Sequence, residues 1–204
     1  LPDTQAFDIE DYPSTANFND PDHLYYKEDI FVGYRYFETF AKEKVQYPFG
    51  FGLTYTTFNI QYSAKVQNGE IAVTATVQNT GNFAAREVVQ VYYGAPCAKL
   101  CNPAKQLVGF AKTKTLAPGE EQTLTVSFSI KKMAAFDDSG VTGEKSCWVL
   151  EAGAYGIYVG TDVRSAKKVC EVQLDELCVI SRLEEALAPV QPYERLVPVE
   201  TGKK

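Results

Sequence analysis

From Phe58 onward the chain alternates strictly. Phe58, Ile60, Tyr62, Ala64 and Val66 are separated by Asn59, Gln61, Ser63 and Lys65, the period of two that gives a strand one apolar face. Asn68-Gly69 follows at once, a pair that tolerates positive φ at both central positions of a type I′ hairpin. The return strand then carries Ile71, Val73, Ala75 and Val77 on one face. After the turn Asn79-Thr80-Gly81-Asn82, residues 87–93 place Val89, Val91 and Tyr93 on one side and Val88 and Tyr92 on the other, with Gln90 between them. Apolar residues on both faces predict a central strand.

Residues 106–115 alternate poorly and hold Gly109, Lys112 and Lys114, the pattern of an edge strand protected by charge. Beyond the turn at Ala117-Pro118-Gly119-Glu120, Leu124, Val126, Phe128 and Ile130 alternate with Thr123, Thr125, Ser127 and Ser129. An irregular or one-turn helical stretch over 131–140 leads to a strand at Cys147-Trp148-Val149-Leu150. Glu151-Ala152-Gly153 turns the chain into Tyr155, Ile157 and Val159, and a further strand is expected over 169–180 with Cys170, Val172 and Leu174 on one side. Seven or so short strands with turn signals every ten to fifteen residues predict a mainly β fold, an antiparallel sandwich of immunoglobulin-like or fibronectin type III-like topology.

The first 57 residues follow no such rule. Twelve of the chain's 26 aromatics lie between Tyr25 and Phe58, a density that cannot be left in water. One or two helical turns fit residues 32–41, but Pro48, Gly50 and Gly52 break anything longer. The tail after Leu183, with Pro189, Pro192 and Pro198, reads as an extended linker.

Composition narrows the class of protein. The 204 residues are 45% hydrophobic and 23% charged, an ordinary globular balance that excludes disordered and collagenous chains. A net charge of −6, with no basic cluster denser than Lys131-Lys132 or Lys203-Lys204, argues against nucleic acid and anionic membrane as partners. No run approaches the roughly 18 apolar residues of a spanning helix. Leu1-Pro2-Asp3-Thr4 has no features of a signal peptide, and with no initiator Met the sequence reads as a piece of something longer.

Candidate chemistry is sparse. Five cysteines, Cys97, Cys101, Cys147, Cys170 and Cys178, cannot all pair within one chain, so free thiols in a reducing, cytoplasmic setting are expected. Cys97 and Cys101 offer half of a zinc site with no second pair to complete it, so no metal and no cofactor are expected. His23, the only histidine, sits in the polar turn Asn19-Asp20-Pro21-Asp22-His23 and is read as a solvated loop residue. That turn lacks the spacing of a calcium loop. The carboxylate groups Asp8, Glu10 and Asp11, and Asp137 with Asp138, are read as solvated turns rather than catalytic pairs.

The aromatic segment carries a resemblance. Tyr26-Lys27-Glu28-Asp29-Ile30-Phe31-Val32-Gly33-Tyr34-Arg35-Tyr36-Phe37, followed by Tyr47-Pro48-Phe49-Gly50-Phe51-Gly52-Leu53-Thr54-Tyr55-Thr56-Thr57-Phe58, resembles the end of the second catalytic-unit domain of glycoside hydrolase family 3 enzymes, mostly β-glucosidases. Val77-Gln78-Asn79-Thr80-Gly81, Glu87-Val88-Val89-Gln90-Val91-Tyr92 and Gln106-Leu107-Val108-Gly109-Phe110 resemble the fibronectin type III-like domain that follows it in that family. The resemblance implies a closing segment of the α/β domain over 1–55, the sandwich over 56–182 and a tail over 183–204. It also implies chemistry by an Asp nucleophile on a barrel domain and an acid/base on the second domain. Neither motif is present, since the single tryptophan, Trp148, follows Cys147 rather than Asp. No catalytic residue is therefore carried over and no substrate-binding residue is assigned.

The expected role is a non-catalytic C-terminal part of such an enzyme, the sandwich buttressing the missing catalytic domains, with the aromatic segment as the joining face. Pairing of two copies through that segment would be the other way to cover it. The contrasting reading is an independent carbohydrate-binding module, with Tyr92, Tyr93, Tyr155 and Tyr158 as the ring candidates and core packing as their ordinary use.

Overall fold

The structure, a computed structural model, describes residues 1–18, 21–186, 188–189, 191 and 193–198. In chain order its elements are β1 (Gln5–Ala6), helix α1 (Tyr34–Phe40), β2 (Val45–Tyr47), β3 (Phe58–Gln67), β4 (Glu70–Asn79), β5 (Val88–Gly94), β6 (Gln106–Lys112), β7 (Glu121–Ser129), β8 (Ala135–Asp137), β9 (Cys147–Leu150), β10 (Gly153–Gly160), β11 (Lys167–Leu174) and β12 (Cys178–Arg182), with short 3₁₀ turns between some of them. Every pairing is antiparallel. The sheets run β3-β4-β7, β11-β10-β5-β6 and β12-β9-β8, and β1 with β2 forms a small separate ribbon.

The first two sheets make the sandwich. Ile71, Val73, Ala75 and Val77 of β4 are buried against Val89, Val91 and Tyr93 of β5 and Tyr155, Ile157 and Val159 of β10. Each large apolar side chain so buried contributes roughly 1.5–3 kcal/mol, which makes this face the main source of stability. Asn68 and Gly69 both have positive φ, 54° and 75°, and the hairpin they form sets Gln67 opposite Glu70. That single turn fixes which face of β3 and β4 points inward.

The corner before β5 is held by a buried amide. Asn79 Nδ2 donates to the carbonyls of Phe83 (2.8 Å) and Leu116 (2.9 Å), while its Oδ1 accepts from Thr56 Oγ1 (2.6 Å) and the Gly81 amide (3.1 Å). With every hydrogen-bonding position used, the cost of burying the amide is met locally.

Three expectations change. The strand expected over 169–180 is two strands, because Asp175-Glu176 interrupts the apolar face. The chain leaves the large sheet there, and β12 joins β9 instead. The described part of the tail is extended but docked. The Leu196 amide donates to the Lys27 carbonyl (2.7 Å), and Arg195 Nη1 reaches Asp29 Oδ2 (3.3 Å) and Asp138 Oδ2 (2.6 Å).

The third change is that Cys97 and Cys101 are not free thiols but a disulfide, with Cα atoms 4.5 Å apart. An odd cysteine count excludes complete pairing, yet it leaves one local bridge open wherever the backbone folds back on itself. Here the loop between β5 and β6 does so, held by the buried Glu151 carboxylate, which accepts from the Lys99 (3.0 Å) and Leu100 (2.9 Å) amides. Cys147, Cys170 and Cys178 remain free. Thiol titration in denaturant without reductant is therefore expected to find three reactive groups rather than five; five would return the protein to the reducing state expected from its sequence.

Candidate functional site

Strand β5 is apolar on both faces because both are covered. Tyr92, fully buried, points away from the sandwich core and meets Tyr34 of α1 and Phe49. The Tyr34 and Phe49 ring centroids lie 4.7 Å apart, and the Tyr34 hydroxyl accepts from the Leu107 amide of β6 (2.9 Å). The Val163 amide donates to the Phe49 carbonyl (3.1 Å). Gly50 follows with φ +89°, and a Cβ there would come within 2.6 Å of Gln90 Nε2 and 2.8 Å of Asp162 Cα. Glycine is thus required twice over at this position, by backbone angle and by space.

Polar groups lock the same joint. Glu38 of α1, with its side chain only 5% exposed, accepts from Arg164 Nε at 2.9 Å, and Arg164 Nη2 donates to the Lys42 carbonyl at 2.5 Å. Arg164 is itself positioned by the turn after β10, where the Asp162 carboxylate accepts from the Arg164 and Ser165 amides, both at 2.8 Å. Lys105 Nζ donates to the Val163 (2.7 Å) and Ala166 (3.1 Å) carbonyls and lies 5.3 Å from the Tyr158 ring centre. Burial pushes its ammonium below the ordinary lysine value. Gln90 Nε2 donates to the Thr161 carbonyl (2.9 Å), and its Oε1 accepts from the Tyr92 hydroxyl.

The remaining aromatics of the first segment build their own small cluster. Phe37, Ala41, Val45 and Ala6 are buried together, with Tyr12 edge-on to Phe37 at 5.2 Å. The outward side stays uncovered: Leu53 is 91% and Tyr55 94% exposed, and Phe7, Ile9 and Phe18 also face solvent. The segment is therefore docked on the sandwich through some of its apolar side chains and leaves others exposed.

The other residues singled out in the sequence have structural uses. Tyr92, Tyr93 and Tyr155 are buried, and burial pushes the phenols of Tyr93 and Tyr155 up to about 12; Tyr158 lies half-buried beside Lys105. They form no open platform. Asp8 caps a 3₁₀ turn and Asp11 pairs with Lys44 at 2.9 Å, while Glu10 stays exposed. Asp138 holds Arg195. His23 stacks on Tyr25, with ring centroids 5.9 Å apart. Asn19 and Asp20 of the calcium-like turn lie outside the described residues. Among the described residues no three His, Cys, Asp or Glu side chains converge on a metal position.

Sequence reasoning missed Glu38, Arg164 and Lys105. Glu38 sits among rings in Tyr36-Phe37-Glu38-Thr39-Phe40, an acid in an apolar run that signals a buried partner. The Asp162-Val163-Arg164-Ser165 turn is likewise readable as local capping.

Two outcomes are expected. Arg164→Ala leaves Glu38 buried without its partner and should cost about 1–3 kcal/mol in urea unfolding, less than a fully buried pair because Arg164 is 37% exposed; Glu38→Gln in that background should recover part of it. A loss under about 0.5 kcal/mol would show that the pair does not hold the joint. The second concerns Asp137, fully buried. Burial alone would raise its carboxyl, but hydrogen bonds from the Thr142 hydroxyl and amide, the Gly140 amide and the Ser139 hydroxyl outweigh it and hold the value at about 2. Because the folded value lies below the unfolded one, near 3.9, this stabilisation is complete above pH 4 and is lost as pH falls toward 2, by about 2 kcal/mol. Asp137→Asn should flatten that acid limb of the stability curve.

A model of the fibronectin type III-like domain matches residues 87–163. A β-glucosidase of Ruminococcus albus is 53% identical over 202 residues, 99% of this chain and 21% of that protein. Among solved structures, a β-glucosidase of Paenibacillus barengoltzii superposes with a TM-score of 0.93 at 48% identity, covering 96% of this chain and 22% of that one. A GH3 β-glucosidase of Bifidobacterium adolescentis gives 0.75 at 38% identity, covering 85% and 25%. The resemblance read in the aromatic motifs holds along nearly the whole chain. The chain spans about a fifth of the length of the curated relative it matches, and over that part its sequence and fold are similar to those of β-glucosidases, with a fibronectin type III-like domain over residues 87–163.

Proposed function

We propose that the chain is the non-catalytic brace of a family 3 β-glucosidase-like enzyme. Residues 1–55 close its second catalytic-unit domain, residues 56–182 form the sandwich that holds that closing segment in place, and residues 183–204 form the tail. The observation that carries this reading is the joint at Tyr34, Phe49 and Tyr92 with the Glu38–Arg164 pair. A segment that ends a catalytic domain is fixed there by side-chain packing and a largely buried charge pair rather than by a flexible linker. Hydrolysis of a glycosidic bond needs two carboxylates placed on opposite sides of it. Of the acids singled out in this chain, Asp8 caps a turn, Asp137 anchors a loop, Asp11 and Asp138 form ion pairs and Glu10 lies exposed, and on this reading the two catalytic carboxylates belong to the remaining domains. The exposed Leu53, Tyr55, Phe7, Ile9 and Phe18 supply the apolar surface on which those domains would seat.

The test is complementation. The Ruminococcus albus enzyme would be made without the fifth of its length that matches this chain, then assayed on nitrophenyl β-glucoside with and without the chain added. The chain alone is expected to release no nitrophenol, and its addition should raise the activity and the melting temperature of the truncated enzyme. Turnover by the chain alone, or a truncated enzyme whose activity and stability are full without it, would overturn the reading.

A further inference from the structure

Trp148 takes no part in the joint. It is the single tryptophan of the sequence. Strand β9 turns Cys147 and Val149 inward and leaves Trp148 on the opposite face, 41% exposed. Its cross-strand neighbour Phe136 of β8 stands beside it, with ring centroids 5.5 Å apart. The two rings wall a cleft of about 440 Å³, within the range of small-molecule sites, whose other sides present Arg35, Tyr93, Asn102 and Gln106. Three separate pieces of the chain thus meet there: the aromatic segment, the β5–β6 edge and the β8–β9 ribbon.

What those polar groups do elsewhere is the informative part. Among the described residues, the Arg35 guanidinium, the Gln106 amide and the Tyr93 hydroxyl have no hydrogen-bond partner, and Asn102 uses only its Nδ2, on the Leu100 carbonyl at 3.3 Å. A second lobe of about 950 Å³ lies beyond Arg195, which Asp29 and Asp138 hold as a sill between the two. We propose that this cleft binds a saccharide, one pyranose ring lying on Trp148 with its hydroxyls met by Gln106, Asn102 and Arg35, and the chain continuing over the sill.

The chemistry of the walls selects that class. Amides and a phenol both donate and accept, as vicinal hydroxyls do, and an aromatic face suits the axial C–H face of a pyranose. A nucleotide would also stack and would find Arg35 and Lys132 for its phosphates, but the amides and phenol of the walls match hydroxyls, and titration with ATP separates the two. This inference stands apart from the bracing role: a brace without a sugar site, or a sugar site on a chain that braces nothing, are distinguishable results.

Because Trp148 is the only indole, its emission reports on the cleft directly. The intact chain would be titrated with cellotetraose, xylotetraose and maltotetraose, with ATP as the stacking control. A saturable emission change with at least one oligosaccharide and none with ATP is expected. In affinity electrophoresis through the matching polysaccharide, Trp148→Ala should weaken retardation at least about tenfold and Gln106→Ala about threefold, at unchanged melting temperature. Gln106 lies on an edge strand, so its variant keeps the test readable should Trp148→Ala fail to fold. No saturable change with any of the three oligosaccharides up to about 10 mM, an equal response to ATP, or binding that survives a folded Trp148→Ala would overturn the proposal.

Discussion

A sheet whose central strand is apolar on both sides must be covered on both sides, and the rest of this structure follows from that constraint. β5 sends Val89, Val91 and Tyr93 into the sandwich core and Tyr92 the other way. The second sheet of the sandwich covers only the first of these faces. The cover for Tyr92 comes from Tyr34 and Phe49, which is why a segment with no regular fold of its own is fixed so firmly. The charged pair and the glycine at the joint are consequences: close approach of two backbones leaves no room for a Cβ at Gly50, and it encloses Glu38, which must then be paired.

The legible part of the fold was the part governed by local period. The β3–β4 hairpin, its type I′ turn, the two-sided character of β5 and the edge position of β6 all stand in the alternation of residues and in one Asn-Gly pair. What escaped were properties set by distant partners. Nothing near Glu38 in sequence announces Arg164, and the tail's prolines report extension without reporting what Arg195 will meet. The disulfide escaped for a different reason: counting cysteines constrains complete pairing, while a bridge across four residues depends on how one loop doubles back around Glu151. At the site itself, the aromatic density between Tyr25 and Phe58 marked the segment that packs on Tyr92 of the sandwich. The ring candidates chosen for sugar contact were mainly core residues, because alternation alone does not distinguish a covered outer face from an open one.

The small β12-β9-β8 sheet shows how an ordinary sandwich is extended without disturbing its core. β9 leads into β10 through a two-residue turn, and β11 leads into β12 across the Asp175-Glu176 break, so both additions leave the large sheet at its ends. Asp137 organises the loop between β8 and β9 by accepting hydrogen bonds from Ser139, Gly140, Val141 and Thr142. A single buried carboxylate thereby replaces the hydrophobic contacts that a short, exposed loop cannot supply.

The Glu38–Arg164 pair joins residues 126 positions apart. During synthesis the acid and the aromatic rings around it leave the ribosome long before their guanidinium partner exists. At about 5–20 residues per second the delay is on the order of ten seconds. Tyr92 is made partway through that interval, but Arg164 is absent for all of it, so the first segment cannot complete its joint before then. The joint closes only once β10 and the turn that follows it have been made. The order in which the pieces emerge is therefore as much a constraint on this sequence as the packing they finally reach.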